Sequence, residues 1–101
     1  MSPCHVTLRE LQDSMMKTYG DRDLKRGPER TLLWMCSEVG EVVDAYIKGD
    51  LDSLGAELGD LLAWMLSFCN LLKINLEEVF MNRYGSGCPK CSKPVCECAY
   101  I

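Results

Sequence analysis

Four carboxylates stand in two matched pairs, Glu38 with Glu41 and Glu57 with Asp60, each pair three residues apart. On a helix that spacing puts both members on one face, about a turn apart. The segments around them repeat at an offset of 19 residues: Glu38-Val39-Gly40-Glu41-Val42-Val43 against Glu57-Leu58-Gly59-Asp60-Leu61-Leu62. Glu38 and Glu57 intrude on apolar stripes, and a carboxylate facing a core costs several kcal/mol unless a cation meets it. No Lys or Arg lies within a helical turn of any of the four on its own helix, so cations must come from elsewhere. In an antiparallel hairpin the two copies face each other, and four oxygen donors then suit Mg²⁺ or Mn²⁺. Without metal, mutual repulsion raises some of their pKa values. A solvated acidic face accounts for one such pair, but poorly for two at core-facing positions. Gly40 and Gly59 each cost about 1 kcal/mol relative to Ala inside a helix, which predicts close approach of backbone or ligand there.

A second set is soft. Cys88-x-x-Cys91 and Cys96-x-Cys98 place four thiols within eleven residues, a donor set that takes tetrahedral Zn²⁺ as a closed structural site. A Cys88–Cys91 redox pair and an Fe–S cluster are the competing chemistries. Cys98-Ala99-Tyr100-Ile101 also matches a loose prenylation pattern, without an upstream polybasic segment. Cys36 and Cys69 read as small core residues. Cys4 has no assigned role, and His5, the lone histidine, has no evident triad partner.

Helices must position these groups. Thr7 with Glu10 forms a capping-box pattern that opens a helix over Leu8 to Tyr19, with Gly20 as its stop and Asp21 to Gly27 as a charged loop. Pro28 suits the first turn of a second helix, with Leu32, Met35, Val39, Val42 and Tyr46 as its stripe. Asp50 caps a third over Leu51 to Leu72, carrying Leu54, Leu58, Leu61, Leu62, Met65, Cys69 and Leu72. Asn75 with Glu78 opens a fourth that ends at Gly85. No segment alternates with period two long enough to demand a strand. The reading is an all-α antiparallel bundle of about four helices over residues 1–84, followed by a Cys-rich zinc-knuckle tail over 85–101.

The 101 residues carry 11 basic and 15 acidic side chains, a net charge of −4, and are 48% hydrophobic. A dense basic run is missing, which speaks against a nucleic-acid polymer or an anionic membrane as partner. The longest apolar run, Leu61 to Leu66, is far short of a bilayer span. The amino-terminal residues lack a signal-peptide pattern, which predicts a cytoplasmic protein and fits metal or core thiols better than disulfides.

Taken together, Ser37-Glu38-Val39-Gly40-Glu41-Val42, then Ala56-Glu57-Leu58-Gly59-Asp60-Leu61-Leu62-Ala63-Trp64, then Ile74-Asn75-Leu76-Glu77-Glu78 resemble the signature of the MazG family of all-α nucleotide pyrophosphohydrolases, over about Leu8 to Tyr84. The resemblance implies hydrolysis of a nucleoside triphosphate to monophosphate and pyrophosphate, with Mg²⁺ (or Mn²⁺) held by Glu38, Glu41, Glu57 and Asp60. Glu38 or Glu41 would take the proton of the attacking water. It also implies a homodimer or homotetramer. Trp34 and Trp64, each four residues from an acidic motif, are candidates to stack on a nucleobase, or else core or interface residues. Asp44 extends the acidic face, as support or as plain solvated charge. Arg22, Lys25, Arg26 and Arg30 are candidates for the phosphates, as are Asn82 and Arg83, where the family more often has Lys. A non-catalytic nucleotide- or partner-binding module with a structural zinc knuckle is the alternative function.

Overall fold

The computed structural model describes residues 5–99; Cys4 and the Tyr100–Ile101 end of the prenylation pattern lie outside them. Four helices follow one another: α1 (Leu8–Arg26), α2 (Pro28–Ile47), α3 (Leu51–Leu72) and α4 (Leu76–Tyr84). No strand occurs among the described residues. The architecture is an all-α four-helix bundle with a Cys-rich carboxy-terminal segment. α2 and α3 form the tightest pair, α1 packs chiefly on α3, and α4 rests on α1.

Local chemistry explains most of the boundaries. The Thr7 hydroxyl accepts from Glu10 N at 3.0 Å while Thr7 N donates to the Glu10 carboxylate at 2.9 Å, a complete capping box. The Asp50 carboxylate accepts from Ser53 N at 3.1 Å, and the Asn75 side chain accepts from Glu78 N at 3.2 Å. These caps satisfy amide groups that a helix start leaves open.

One boundary corrects the sequence reading. α1 does not stop at Gly20, and residues 21–26 are helix rather than loop. The additional turns bury Asp23 to 2% exposure, where it accepts from the Arg26 guanidinium at 2.8 Å. Arg26 also donates to Thr31 Oγ1 at 3.1 Å, and that hydroxyl donates to Gly27 O at 2.8 Å. This network offsets the helix cost of Gly20. The stop is Gly27, whose φ of 84° suits a residue without Cβ. Arg22, Lys25 and Arg26 therefore lie on the end of α1.

At the other end of α1 a buried amide ties three elements together. The Gln12 side chain donates to Ile74 O at 2.7 Å and accepts from Leu76 N at 3.1 Å. Asn70 donates to Gln12 O at 3.0 Å. Since residue 12 meets 70–76 while Arg26 lies over Trp64, α1 and α3 run antiparallel.

The single chain is loosely packed. Its radius of gyration is 16.0 Å, against about 13 Å for a compact domain of this length. Its accessible surface is 7920 Å², against about 5800 Å² for a folded monomer of this mass. Among the described residues the buried apolar ones are Ala45, Leu66 and Cys69. On α2 the inward face is Thr31, Met35, Glu38, Val42 and Ala45, while Leu32, Val39 and Tyr46 of the expected stripe are exposed, as is Cys36. The apolar pattern thus has two faces, and only one of them turns toward α3. Cys69 is buried as expected, and burial raises its thiol pKa. A Cβ at Gly40 or Gly59 would meet nothing within 4 Å, so the expected close backbone approach does not occur within one chain.

Candidate functional site

The α2–α3 pairing brings Glu38, Glu41 and Glu57 together, with one carboxylate oxygen of each within 4.8 Å of the others. Their burial is graded: Glu38 is 8% exposed, Glu57 half-buried and Glu41 exposed. Asp60 is not part of this tight trio, but its charge acts on Glu38 and both residues line one cleft. Glu38 Oε2 is buried with no hydrogen-bond partner among the described residues.

The consequence is electrostatic. Glu38 has its pKa raised from 4.5 to about 7, chiefly by a proton shared with Glu57, then by burial and the charges of Glu57, Glu41 and Asp60. A carboxyl whose folded pKa exceeds its unfolded value holds a proton after the unfolded chain has released it. Its stabilising contribution is complete below about pH 4.5 and is lost as pH rises through about 7. Chelator-treated protein is therefore expected to melt at lower temperature at pH 8 than at pH 5.5. A flat melting temperature over that range would contradict the repulsion.

These donors fit a divalent cation. They are hard oxygens, one is buried and orphaned, and among the described residues no Lys or Arg pairs with any of them. The set matches the chemistry of Mg²⁺ or Mn²⁺.

The cleft, about 220 Å³, is lined by Met15, Tyr19, Asp23 and Arg26 of α1, Glu38 of α2, and Asp60, Ala63, Trp64 and Ser67 of α3. Trp64 is half-buried and already engaged. Its ring stacks with Trp34 at 6.1 Å between centroids, and the Arg26 guanidinium lies 4.8 Å from its centroid. Arg30 and Trp34 lie together in a shallow apolar depression with Leu33 and Ser37. Asn82 and Arg83 border a separate groove between α4 and the Cys-rich segment. Within one chain, Arg30, Trp34, Asn82 and Arg83 do not line the acidic cleft. Asp44 pairs with Lys48 at 2.9 Å on the exposed end of α2.

On the α1 side of the cleft, sequence reading named Arg26 and missed Met15, Tyr19 and Asp23. Met15, Tyr19, Asp23 and Arg26 recur at helical spacing, and that recurrence was the available signal. Placing a stop at Gly20 cut it in two.

The four thiols of Cys88, Cys91, Cys96 and Cys98 also converge, each within 4.8 Å of the others. The Cys88 and Cys98 sulfurs are 3.7 Å apart, close to the edge of about 3.8 Å of a tetrahedron built on Zn–S bonds of about 2.3 Å. Backbone N–H groups aim at the sulfurs: Lys90 N at Cys88, Glu97 N at Cys91 and Cys98 N at Cys96, each 3.4 Å. The Glu97 amide is the chief cause that lowers Cys91 to about 6, and the Cys91 and Lys90 amides lower Cys88. Cys98 is pushed up to about 11, first by Cys96, because four bare thiolates cannot share so small a volume. A tight turn shapes the knuckle. Gly87 has φ 112°, and a Cβ there would collide with Lys93 O. This segment can coordinate a metal ion.

The arrangement is that of paired acidic helices inside an all-α bundle, with carboxylates converging beside a cleft. The family model described as the MazG nucleotide pyrophosphohydrolase domain matches residues 26–92. The chain belongs to that family. No curated protein sequence matches the chain. No helix among the described residues is long and apolar enough to cross a membrane.

Proposed function

We propose that this chain is a Mg²⁺-dependent nucleoside triphosphate pyrophosphohydrolase that serves to clean the nucleotide pool. Family membership supports the general reaction type. The observation that carries the finer reading is the buried Glu38 carboxylate, its Oε2 without a partner among the described residues, set beside Glu41 and Glu57 at a cleft it shares with Asp60. Glu38, Glu41, Glu57 and Asp60 hold the metal in this reading. A divalent cation there neutralises the triphosphate and acidifies water. Glu38 or Glu41 accepts the proton of the attacking water. Trp64 and Arg26 border the substrate within the cleft.

The chain acts as a homodimer or homotetramer in this proposal. The outward apolar residues Leu32, Val39 and Val43 on α2 and Leu58 on α3 are the surface a second copy would cover, and the excess accessible area is of the order that stable interfaces bury. Trp34, Arg30, Asn82 and Arg83 then lie where a neighbour's nucleotide could use them. Residues 1–84 form the helical unit and 85–101 a knuckle holding structural Zn²⁺. We assign the protein to the cytoplasm.

The test is a panel of ribo- and deoxyribonucleoside triphosphates, canonical and damaged, with Mg²⁺ or Mn²⁺ and zinc-loaded protein. Release of pyrophosphate and monophosphate is expected, with Mg²⁺ raising the melting temperature more at pH 8 than at pH 5.5. Sedimentation of the same sample should give two or four chains per particle. Nucleotide affinity without turnover would make the chain a binding module instead.

A further inference from the structure

Two buried carboxylate oxygens have no partner among the described residues: Glu38 Oε2 and Asp23 Oδ2. Both residues line the same cleft. Glu38 sits among like charges and calls for a cation. Asp23 does not, because its Oδ1 already pairs with Arg26 at 2.8 Å. An acid neutralised by its own ion pair, 2% exposed, lacks only a hydrogen-bond donor for its second oxygen. No side chain of the described residues supplies one.

Helix register says which part of a ligand reaches it. α1 and α3 are antiparallel, so the cleft is ordered along both. Up α3 it runs from Asp60 through Ala63 and Trp64 to Ser67, seven residues or about 10 Å. Down α1 it runs from Asp23 through Tyr19 to Met15, eight residues or about 12 Å. Asp23 therefore lies at the Asp60 end, beside the acidic cluster. Met15, Tyr19, Ala63 and Ser67 form the far end, which is largely apolar and aromatic and suits a flat base. A nucleotide whose phosphates meet the acidic cluster has its sugar next in line. The sugar's neutral donors are hydroxyls, and accepting from a sugar hydroxyl is a familiar use of a carboxylate.

We propose that Asp23 accepts a hydrogen bond from a sugar hydroxyl of the bound nucleotide, with Arg26 as the positioning residue that fixes its carboxylate. This rests on the reading that the acidic cluster faces the phosphates. It gives α1 a direct contact with the sugar, and Asp23 lies outside the segment that the family model matches, 26–92.

Wild-type protein is compared on nucleoside triphosphates and their 2′,3′-dideoxy counterparts, and on the two corresponding monophosphates by quenching of tryptophan emission. A hydrogen bond to a charged acceptor predicts a preference of about 10- to 100-fold for the hydroxylated compounds in kcat/KM and in Kd. In Asp23→Asn, which can still accept from Arg26, the preference should shrink below about fivefold. Asp23→Glu keeps the charge but displaces the oxygen, and should shrink it likewise; it serves if the Asn variant fails to fold. Equal handling of both sugars by wild type, or undiminished preference in a folded variant, overturns the proposal while leaving the pyrophosphohydrolase reading intact. Selective monophosphate binding without turnover of any triphosphate supports the sugar contact and overturns the enzyme reading.

Discussion

Glu38→Gln is expected to lower turnover by about 10³-fold or more and, in the same protein, to raise the melting temperature at pH 8. The two effects have one cause. Glu38 is pressed against Glu57 in a buried position, with Glu41 and Asp60 adding to its burden. Gln fills the same volume, carries no charge, and offers an N–H to Glu57 where wild type needs a shared proton. The metal-free variant should therefore lose the fall in stability between pH 5.5 and 8 and melt several degrees higher at the upper end. Its loss of activity follows from removing both a charged donor for the cation and a proton acceptor, a role worth about 10²–10⁴ in rate. Pyrophosphate release and thermal melts on one preparation measure both. Turnover close to wild type would remove Glu38 from the site; an unchanged pH dependence of melting would show that the carboxylates do not repel as their spacing requires.

Removal of zinc is the second large effect. Residues 86–98 contain no helix and few apolar side chains, so their turns depend on what the four sulfurs share. Structural zinc in a small knuckle contributes on the order of 10 kcal/mol to its folding. Cys91→Ser deletes the thiol that the Glu97 amide holds lowest in pKa. The variant should lose one equivalent of zinc, and amide signals of 86–98 should collapse to random-coil positions. Helical circular dichroism should be kept, since the helices end at Tyr84. Wild-type protein should be colourless with one zinc per chain by elemental analysis. Visible absorbance with bound iron would favour the cluster chemistry, and a folded 86–98 segment without any metal would remove the metal from its account.

Most of the bundle was legible because its start and stop signals are local. Thr7, Asp50 and Asn75 accept from amides within one turn, Pro28 opens α2 at a position where its missing N–H costs nothing, and a single sequence displays all four. Facing of the two acidic motifs followed from spacing plus one assumption, the hairpin. The end of α1 was illegible for a physical reason. Gly20 looks like a stop in isolation, yet the helix continues to the Gly27 turn, where Asp23, Arg26 and Thr31 find each other; a glycine alone does not show which of two candidate stops, Gly20 or Gly27, its neighbours will complete. The inward face of α2 was misplaced for a related reason. Its apolar residues outnumber those one chain can cover, so hydrophobicity alone did not tell the side facing α3 from the side left outward.

Gln12 has a consequence for tolerated variation. One side-chain amide closes the account of Ile74 O and Leu76 N together, which requires a donor and an acceptor on the same planar group. Glu can offer only the acceptor, Lys only the donor, and Leu or Met neither, while Asn is a methylene too short. Position 12 therefore admits a one-letter alphabet, although it lies far along α1 from the acidic cluster. In any set of variants selected for folding alone, it should be among the least permissive positions in the chain, ahead of several of the carboxylates that perform the chemistry.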